Sequence, residues 1–260
     1  MHGLCANPLE MRPVGKILQK NGYSVCSPLI KGCGIDSNSL NPSWKPSTWE
    51  DWLGQVGAYY EALKKNHDRV AVVGLCLGAV LGLALAEQQP VDALALISPT
   101  LFFDGWNISR WRRLLPLVYL PGLRKRVRLT ERPPYGIKNE RLRQGLARLM
   151  QRDGLSAVGA AHLPAESVYQ AERLIRRVKR DLPLVHAPTL ILHATEDDVA
   201  GPKSPLLIEK RLGRRPQLHW FENSYHMLTL DNERELVCRT VQEFVQRELP
   251  PARRVTALAA

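Results

Sequence analysis

The stretch from residue 70 to residue 88 limits the fold more than any other part of the chain. A β-branched run, Val70-Ala71-Val72-Val73, passes through Gly74-Leu75-Cys76-Leu77-Gly78 into an apolar, alanine-rich run that ends near Gln88. The first part has the composition of a strand buried on both faces, and the second that of a helix without a polar side. A buried strand that turns at once into a buried helix belongs in a parallel sheet covered by helices.

The flanks repeat this alternation. Residues 8–21 have helical spacing through Leu9, Val14 and Leu18 and end at Asn21-Gly22, and residues 23–27 read as a short strand. Residues 28–46, rich in Pro, Gly, Ser and Asn, read as a loop, after which Ser47 or Thr48 caps a helix carrying Trp49, Trp52, Val56 and Tyr60. Residues 93–97 form another buried strand. Further on come a strand at 189–193, a helix at 204–211, a strand at 217–221 and an amphipathic helix at 232–247, then a frayed tail over 251–260. The predicted class is α/β, a mostly parallel sheet with helices on both faces.

The 260 residues hold one large domain, or one domain with an insertion. Hydrophobic residues at 45% and charged residues at 23% exclude disorder, collagen and coiled coil as descriptions of the whole chain. Charge locates the insertion. Residues 104–181 carry 18 Lys and Arg against 7 Asp and Glu, whereas the remainder carries 18 of each, so all of the net +11 lies in that segment. The five cysteines, Cys5, Cys26, Cys33, Cys76 and Cys238, are odd in number and lack paired metal spacing, which points to reduced thiols in a cytoplasmic setting. Neither a cofactor nor a metal is expected.

Gly74-Leu75-Cys76-Leu77-Gly78, between strand and helix, is the nucleophile-elbow pattern G-x-S-x-G with Cys in place of Ser. The glycines leave room for a tight turn, and the helix N-terminus behind the thiol favours negative charge there. A small buried Cys in a glycine-rich turn would fit this motif alone. Two loops that follow strands add to it: Glu196-Asp197-Asp198-Val199 and Asn223-Ser224-Tyr225-His226. Nucleophile, carboxylate and histidine thus occur in the chain order of a hydrolytic triad. Taken singly, the carboxylates could cap a following helix and His226 could be a surface histidine.

These pieces resemble the α/β-hydrolases of the bacterial carboxylesterase and monoacylglycerol-lipase group. The resemblance runs through nearly the whole chain and is weakest in the insert. It rests also on His2-Gly3-Leu4 with Pro8-Leu9-Glu10-Met11-Arg12-Pro13, on Lys31-Gly32-Cys33-Gly34, on Trp49-x-x-Trp52, and on Ser224-Tyr225-His226-x-x-x-x-Asp231. It implies an acyl-transfer enzyme in which Cys76 attacks, Asp197 rather than Asp198 orients His226, and the Leu4 and Leu77 N–H groups form the oxyanion hole. The substrate is expected to be a lipid-like acyl ester or thioester. Hydrolysis, transfer from Cys76 to an alcohol, amine or thiol, and a non-catalytic lipid-binding role are the three readings.

Three departures from the group stand out. The nucleophile is Cys where most members have Ser, an exchange that also occurs in hydrolases with a Cys-His-Asp triad and in polyester synthases with a G-x-C-x-G box. Ile30-Lys31-Gly32-Cys33-Gly34 replaces Leu-Pro-Gly-His-Gly, so a structural histidine is absent. The central strand that precedes His-Gly in relatives is missing before His2, and the natural chain is expected to extend upstream by one strand. The core is therefore expected at 1–100 and 182–250, with a basic helical cap at 101–181. That cap carries Trp106, Trp111-Arg112-Arg113, Arg124-Lys125-Arg126-Val127-Arg128 and Arg173 to Arg180. Basic residues interleaved with Trp and Leu fit an anionic membrane surface touched peripherally, or an acyl-CoA or acyl-carrier partner. An ordinary solvated basic face is the plainer reading, and nothing in the sequence supports nucleic-acid binding.

Overall fold

A computed structural model describes residues 1–35, 45–109, 112, 114–120, 122–153, 155–156, 159–160 and 162–250. In chain order the elements are α1 (Arg12–Lys20), α2 (Trp49–Lys64), β1 (Ala71–Leu75), α3 (Leu77–Ala86), β2 (Ala93–Ile97), α4 (Leu115–Val118), β3 (Arg128–Thr130) and α5 (Glu140–Asp153). They continue with β4 (Leu155–Ser156), β5 (Gly159–Ala160), β6 (His162–Pro164), α6 (Ala165–Asp181), β7 (Thr189–Ala194), α7 (Lys203–Arg211), β8 (Gln217–Phe221) and α8 (Arg234–Glu248).

Strands β1-β2-β7-β8 form one sheet, parallel throughout. Strand alternation divides its side chains between two cores. On β2, Leu94 and Leu96 join α2, α3 and α6 on one face, while Ala93, Ala95 and Ile97 meet α1 and α8 on the other. Helix α3 is buried along its whole length, as its unbroken apolar sequence requires. Thr48, of the two expected caps, starts α2: its Oγ1 accepts the Asp51 N–H at 3.2 Å, and Asp51 Oδ2 accepts the Thr48 N–H at 3.0 Å.

Three expectations meet a different outcome. Residues 23–27 belong to no sheet, although half-buried Tyr23 and Val25 alternate with exposed Ser24 and Cys26 as in a strand. A strand is defined by its ladder, and no described residue pairs with them. The insert is not purely helical, since β3 pairs with β6 and β4 with β5, both antiparallel. Its expected boundary at 181 also shifts. Helix α6 buries Ala171, Leu174, Ile175 and Val178 in the core beside α3, so it is a layer of the α/β core. Two of its four arginines reach carboxylates of neighbouring elements: Arg173 pairs with Glu50 at 2.9 Å and Arg177 lies 3.7 Å from Glu87, while Arg176 and Arg180 are exposed. Trp111, Arg113, residues 36–44 of the expected loop and the tail 251–260 lie outside the described residues.

The place of α6 in the core can be tested. Leu174→Ala, at a fully buried position, should lower unfolding free energy by about 2–5 kcal/mol in urea titration. Leu120→Ala, at an exposed position of the insert, should stay within about 0.5 kcal/mol of the parent.

Candidate active site

The elbow forms because three backbones approach closer than any side chain would allow. A Cβ on Gly74 would stand 2.2 Å from the Gly78 carbonyl oxygen, and one on Gly78 would stand 2.5 Å from that of Met1. Cys76 sits between them at φ 56° and ψ −116°, and its N–H donates to Ile97 O at 2.9 Å. Positive φ at a residue with a Cβ is stored strain of about 1–3 kcal/mol, typical of functional sites. The turn presents the Cys76 side chain, half-buried, at the N-terminus of α3. Thr100 Oγ1 lies 3.5 Å from Sγ.

Loops beyond β7 and β8 bring the acid and the histidine together. His226 Nδ1 is 2.8 and 2.9 Å from the two carboxylate oxygens of Asp197. Asp197 Oδ1 also accepts the Val199 and Ala200 N–H groups, each at 2.8 Å. Burial raises the Asp197 pKa, but His226, His193 and these N–H groups outweigh it and hold the carboxyl below its ordinary value. Burial likewise disfavours charge on His226, yet Asp197 and then Cys76 hold its pKa well above the usual value. Among the described residues Nε2 of His226 meets no nitrogen or oxygen partner; Cys76 is the side chain that, with Asp197, raises the histidine pKa, and both His226 and Cys76 line one cavity.

Asp198 has a different task. Its oxygens accept the Gly136 N–H at 3.1 Å and the His226 backbone N–H at 3.4 Å, which ties the insert to the histidine loop. Ser98 Oγ donates to His226 O at 2.6 Å, and Asp231 accepts the N–H groups of Tyr225, Lys138 and Asn139. Leu4 and Leu77, the expected oxyanion donors, flank Cys76: Leu77 follows it on α3, and Leu4 lines the same cavity. Among the described residues neither N–H meets an acceptor. Sequence reasoning overlooked His193, buried behind Asp197 with Nε2 2.8 Å from Ala200 O, and Glu131, a cavity carboxyl whose pKa burial pushes up to about 7. His193 is the penultimate residue of the strand that leads to Asp197, a usable signal, whereas nothing local marks Glu131.

The cavity measures about 480 Å³, within the usual range for small-molecule sites, and runs from Cys76 between Phe103, Ile108, Leu115, Leu163 and Val168. Among the described residues there is no cluster suited to a metal ion, and no helix is long and apolar enough to cross a membrane. Such an arrangement can hold an acyl chain with its carbonyl at the thiol.

Comparison with known proteins agrees in kind. The family model described as serine aminopeptidase, S33, matches residues 1–234. The chain is 24% identical over 249 residues to a carboxylesterase of Bacillus subtilis (strain 168), covering 95% of this chain and 91% of that protein. It is 25% identical over 245 residues to a thermostable monoacylglycerol lipase of Bacillus sp. (strain H-257), covering 94% and 88%. A solved structure reported for LipS and LipT, two metagenome-derived lipolytic enzymes, superposes with a TM-score of 0.76 at 25% identity, covering 95% of this chain and 91% of that one.

Glu10 stands under the loop that carries Leu4. Its Oε2 accepts the Gly3 N–H at 2.8 Å, and burial pushes its pKa to about 8 against the opposing pull of that hydrogen bond and of His226. From the ordinary value of 4.5 up to about 8, the folded chain therefore holds a proton that the unfolded chain has lost. Stability contributed by this group is complete below the unfolded value and is lost as pH rises through that window. Glu10→Gln keeps an acceptor for Gly3 without the ionisation. Urea titrations at pH 5, 6.5 and 8 should show a shallower fall in stability with pH for the variant than for the parent.

Proposed function

The chain belongs to the serine aminopeptidase S33 family and is an α/β-hydrolase of the carboxylesterase and monoacylglycerol-lipase group; from that premise we propose that it hydrolyses lipid-like esters through Cys76. The observation that carries this reading is the Asp197–His226 pair, 2.8 Å apart, opening on the same cavity as a cysteine held at the elbow. The Cys76 thiol gives its proton to His226 Nε2 and forms a C–S bond to the ester carbonyl carbon. The carbonyl oxygen takes the electron pair and is held by the Leu4 and Leu77 N–H groups. When the intermediate collapses, the C–O bond breaks and His226 protonates the departing alcohol. A water molecule, deprotonated by His226, then attacks the thioester, and Cys76 leaves with its proton restored to release the acid. Thioester hydrolysis would use the same steps, and an alcohol, amine or thiol replacing that water would make the reaction a transfer.

Turnover of p-nitrophenyl butyrate tests the assignment. Cys76→Ala and His226→Ala should each lose at least ~10³-fold in kcat, and Asp197→Asn a comparable factor, because the imidazole would lose its orienting anion. Asp198→Asn should lose less, since its contacts are to backbone N–H groups. Iodoacetamide should label Cys76 at a rate that drops in His226→Ala, while exposed Cys26 labels at an unchanged rate. Full turnover in Cys76→Ala would remove the nucleophile assignment.

The insert supports a lipid source for the substrate. Around α4, Leu114, Leu117, Leu120 and Leu123 recur every third residue and are all exposed, Leu117 at 63%. Exposed Lys125, Arg126 and Arg128 follow directly, and Leu115 from the same helix lines the cavity. An apolar ridge beside cations suits an anionic lipid surface, with the cavity beneath it. Vesicles containing anionic lipid should bind the protein, and binding should weaken as salt rises. Leu117→Ser with Lys125→Glu and Arg126→Glu should abolish that binding while soluble-ester turnover stays within about twofold of the parent. Vesicle binding unchanged in this variant would leave the ridge a solvated face, and retention on acyl-CoA alone would move the contact to phosphorylated acyl donors.

A further inference from the structure

Trp106, in the insert, is 58% exposed, yet two directed contacts hold it. Its indole Nε1–H donates to Glu196 O at 3.0 Å, and its ring meets that of Tyr225 edge-on, with centroids 5.3 Å apart at 71°. Glu196 is the residue before Asp197, and Tyr225 is the residue before His226. One side chain therefore touches the neighbours of both partners in the 2.8 Å contact between carboxylate and imidazole. Hydrophobic burial does not account for this placement, because most of the residue remains in water. The backbone on either side aims the indole. The Gly105 N–H donates to Val199 O at 3.0 Å, and the Asn107 N–H donates to Asp198 O at 3.1 Å. This approach needs glycine, since a Cβ at 105 would stand 2.3 Å from the Asp198 carbonyl carbon. Asp104 Oδ1 accepts the Gly201 N–H at 2.9 Å, so residues 104–107 run along the loop that carries the acid. From later in the insert Lys138 lands on the same two residues, with Nζ 2.5 Å from Glu196 Oε2 and 5.5 Å from the centre of the Tyr225 ring.

The acid loop follows β7 and the histidine loop follows β8, so each hangs from its own strand end. A hydrogen bond and an aromatic pair made by one rigid ring set the distance between the two loops. We propose that Trp106 is a positioning residue of the triad: by holding Glu196 and Tyr225 it fixes the contact between Asp197 and His226, and it makes that contact depend on the insert. The assignment rests on the reading of Cys76, His226 and Asp197 given above. Trp106 does not line the cavity at Cys76, so its effect reaches the reaction through the histidine and not through the substrate. An imidazole displaced by ~1 Å can cost on the order of 100-fold in rate.

Turnover of p-nitrophenyl butyrate and NMR titration of the His226 imidazole in the unliganded protein test this together. Trp106→Ala should lower kcat at least ~10-fold while KM stays within about twofold of the parent. Asp197 leads the groups that hold the His226 pKa up, so the imidazole should titrate at lower pH in this variant. Trp106→Phe keeps a ring against Tyr225 and loses the N–H, and should fall between parent and Trp106→Ala in both measurements. Tyr225→Leu removes the same ring contact from the other side. The double variant should therefore lose less than the product of the two single losses. Circular dichroism of every variant should match the parent, since the indole is an exposed group. A His226 titration in Trp106→Ala that matches the parent overturns the proposal whatever the rate. A change confined to KM also overturns it, by placing the indole against substrate. Loss of anionic-vesicle binding at unchanged turnover would overturn it too, by making Trp106 a lipid anchor. If the parent does not turn over the ester, the proposed activity fails by itself, and the His226 titration alone decides the role of Trp106.

Discussion

The close approach of Gly74 to Gly78 is the contact on which the rest of the site depends. With a Cβ 2.2 Å from a carbonyl oxygen, β1 could not turn directly into α3, and Cys76 could not stand at positive φ on the crest of that turn. The same contact decides where the sheet ends and the buried helix begins. It also brings the backbone of Met1 and His2 against Gly78, which positions the Leu4 loop over the thiol. Strain in the elbow is sustained because β1 is hydrogen-bonded to β2 along its length and α3 is buried on every side.

Two adjacent buried carboxyls next to His226 are told apart by what surrounds them. Asp197 meets the imidazole and two N–H groups at short distance, and these together overcome the penalty of burial. Asp198 meets only the longer contacts from Gly136 and His226 N–H. Burial is its largest influence, the neighbouring Asp197 charge adds to it, and its pKa is raised. Like charges this close do not share one environment, so one carboxyl serves the histidine and the other braces the loops. Burial pushes the Cys5 thiol to about 12, Cys238 to about 11 and Cys33 well above its ordinary value. Cys76, half-buried, lines the cavity with His226.

What could be read from the sequence was local. The strands at 93–97 and 217–221 announce themselves by composition and end where expected, and the loops after β7 and β8 carry Asp197 and His226 into contact. Partners far apart in the chain left no trace. Glu10 reads as a polar residue in a helix start, and only the fold shows it bonded to Gly3. Residues 23–27 have the pattern of a strand, but pattern does not supply the neighbour that makes a ladder. In the basic run from Arg173 to Arg180 the charges outnumber the apolar residues, yet Leu174, Ile175 and Val178, at helical spacing, mark the face that α6 buries.

The insert shows why a charge sum is not a charged surface. Arg112 donates to Glu172 at 2.8 Å and lies over the Phe103 ring, and Arg124 pairs with Glu166 at 2.6 Å while stacking on Tyr169. Lys138 reaches Glu196 at 2.5 Å, in the loop that carries Asp197. These cations fasten the insert to α6 and to the site. Partly exposed pairs contribute only about 0–1 kcal/mol each, so their value lies more in orientation than in stability. Exposed cations remain along the insert and α6, among them Lys125, Arg126, Arg128, Arg132, Arg141, Arg148 and Arg176. The first three follow the exposed leucines around α4, whose buried member Leu115 lines the cavity. The ridge is apolar outside, carries cations at its edge and adjoins, through Leu115, the cavity that Cys76 lines.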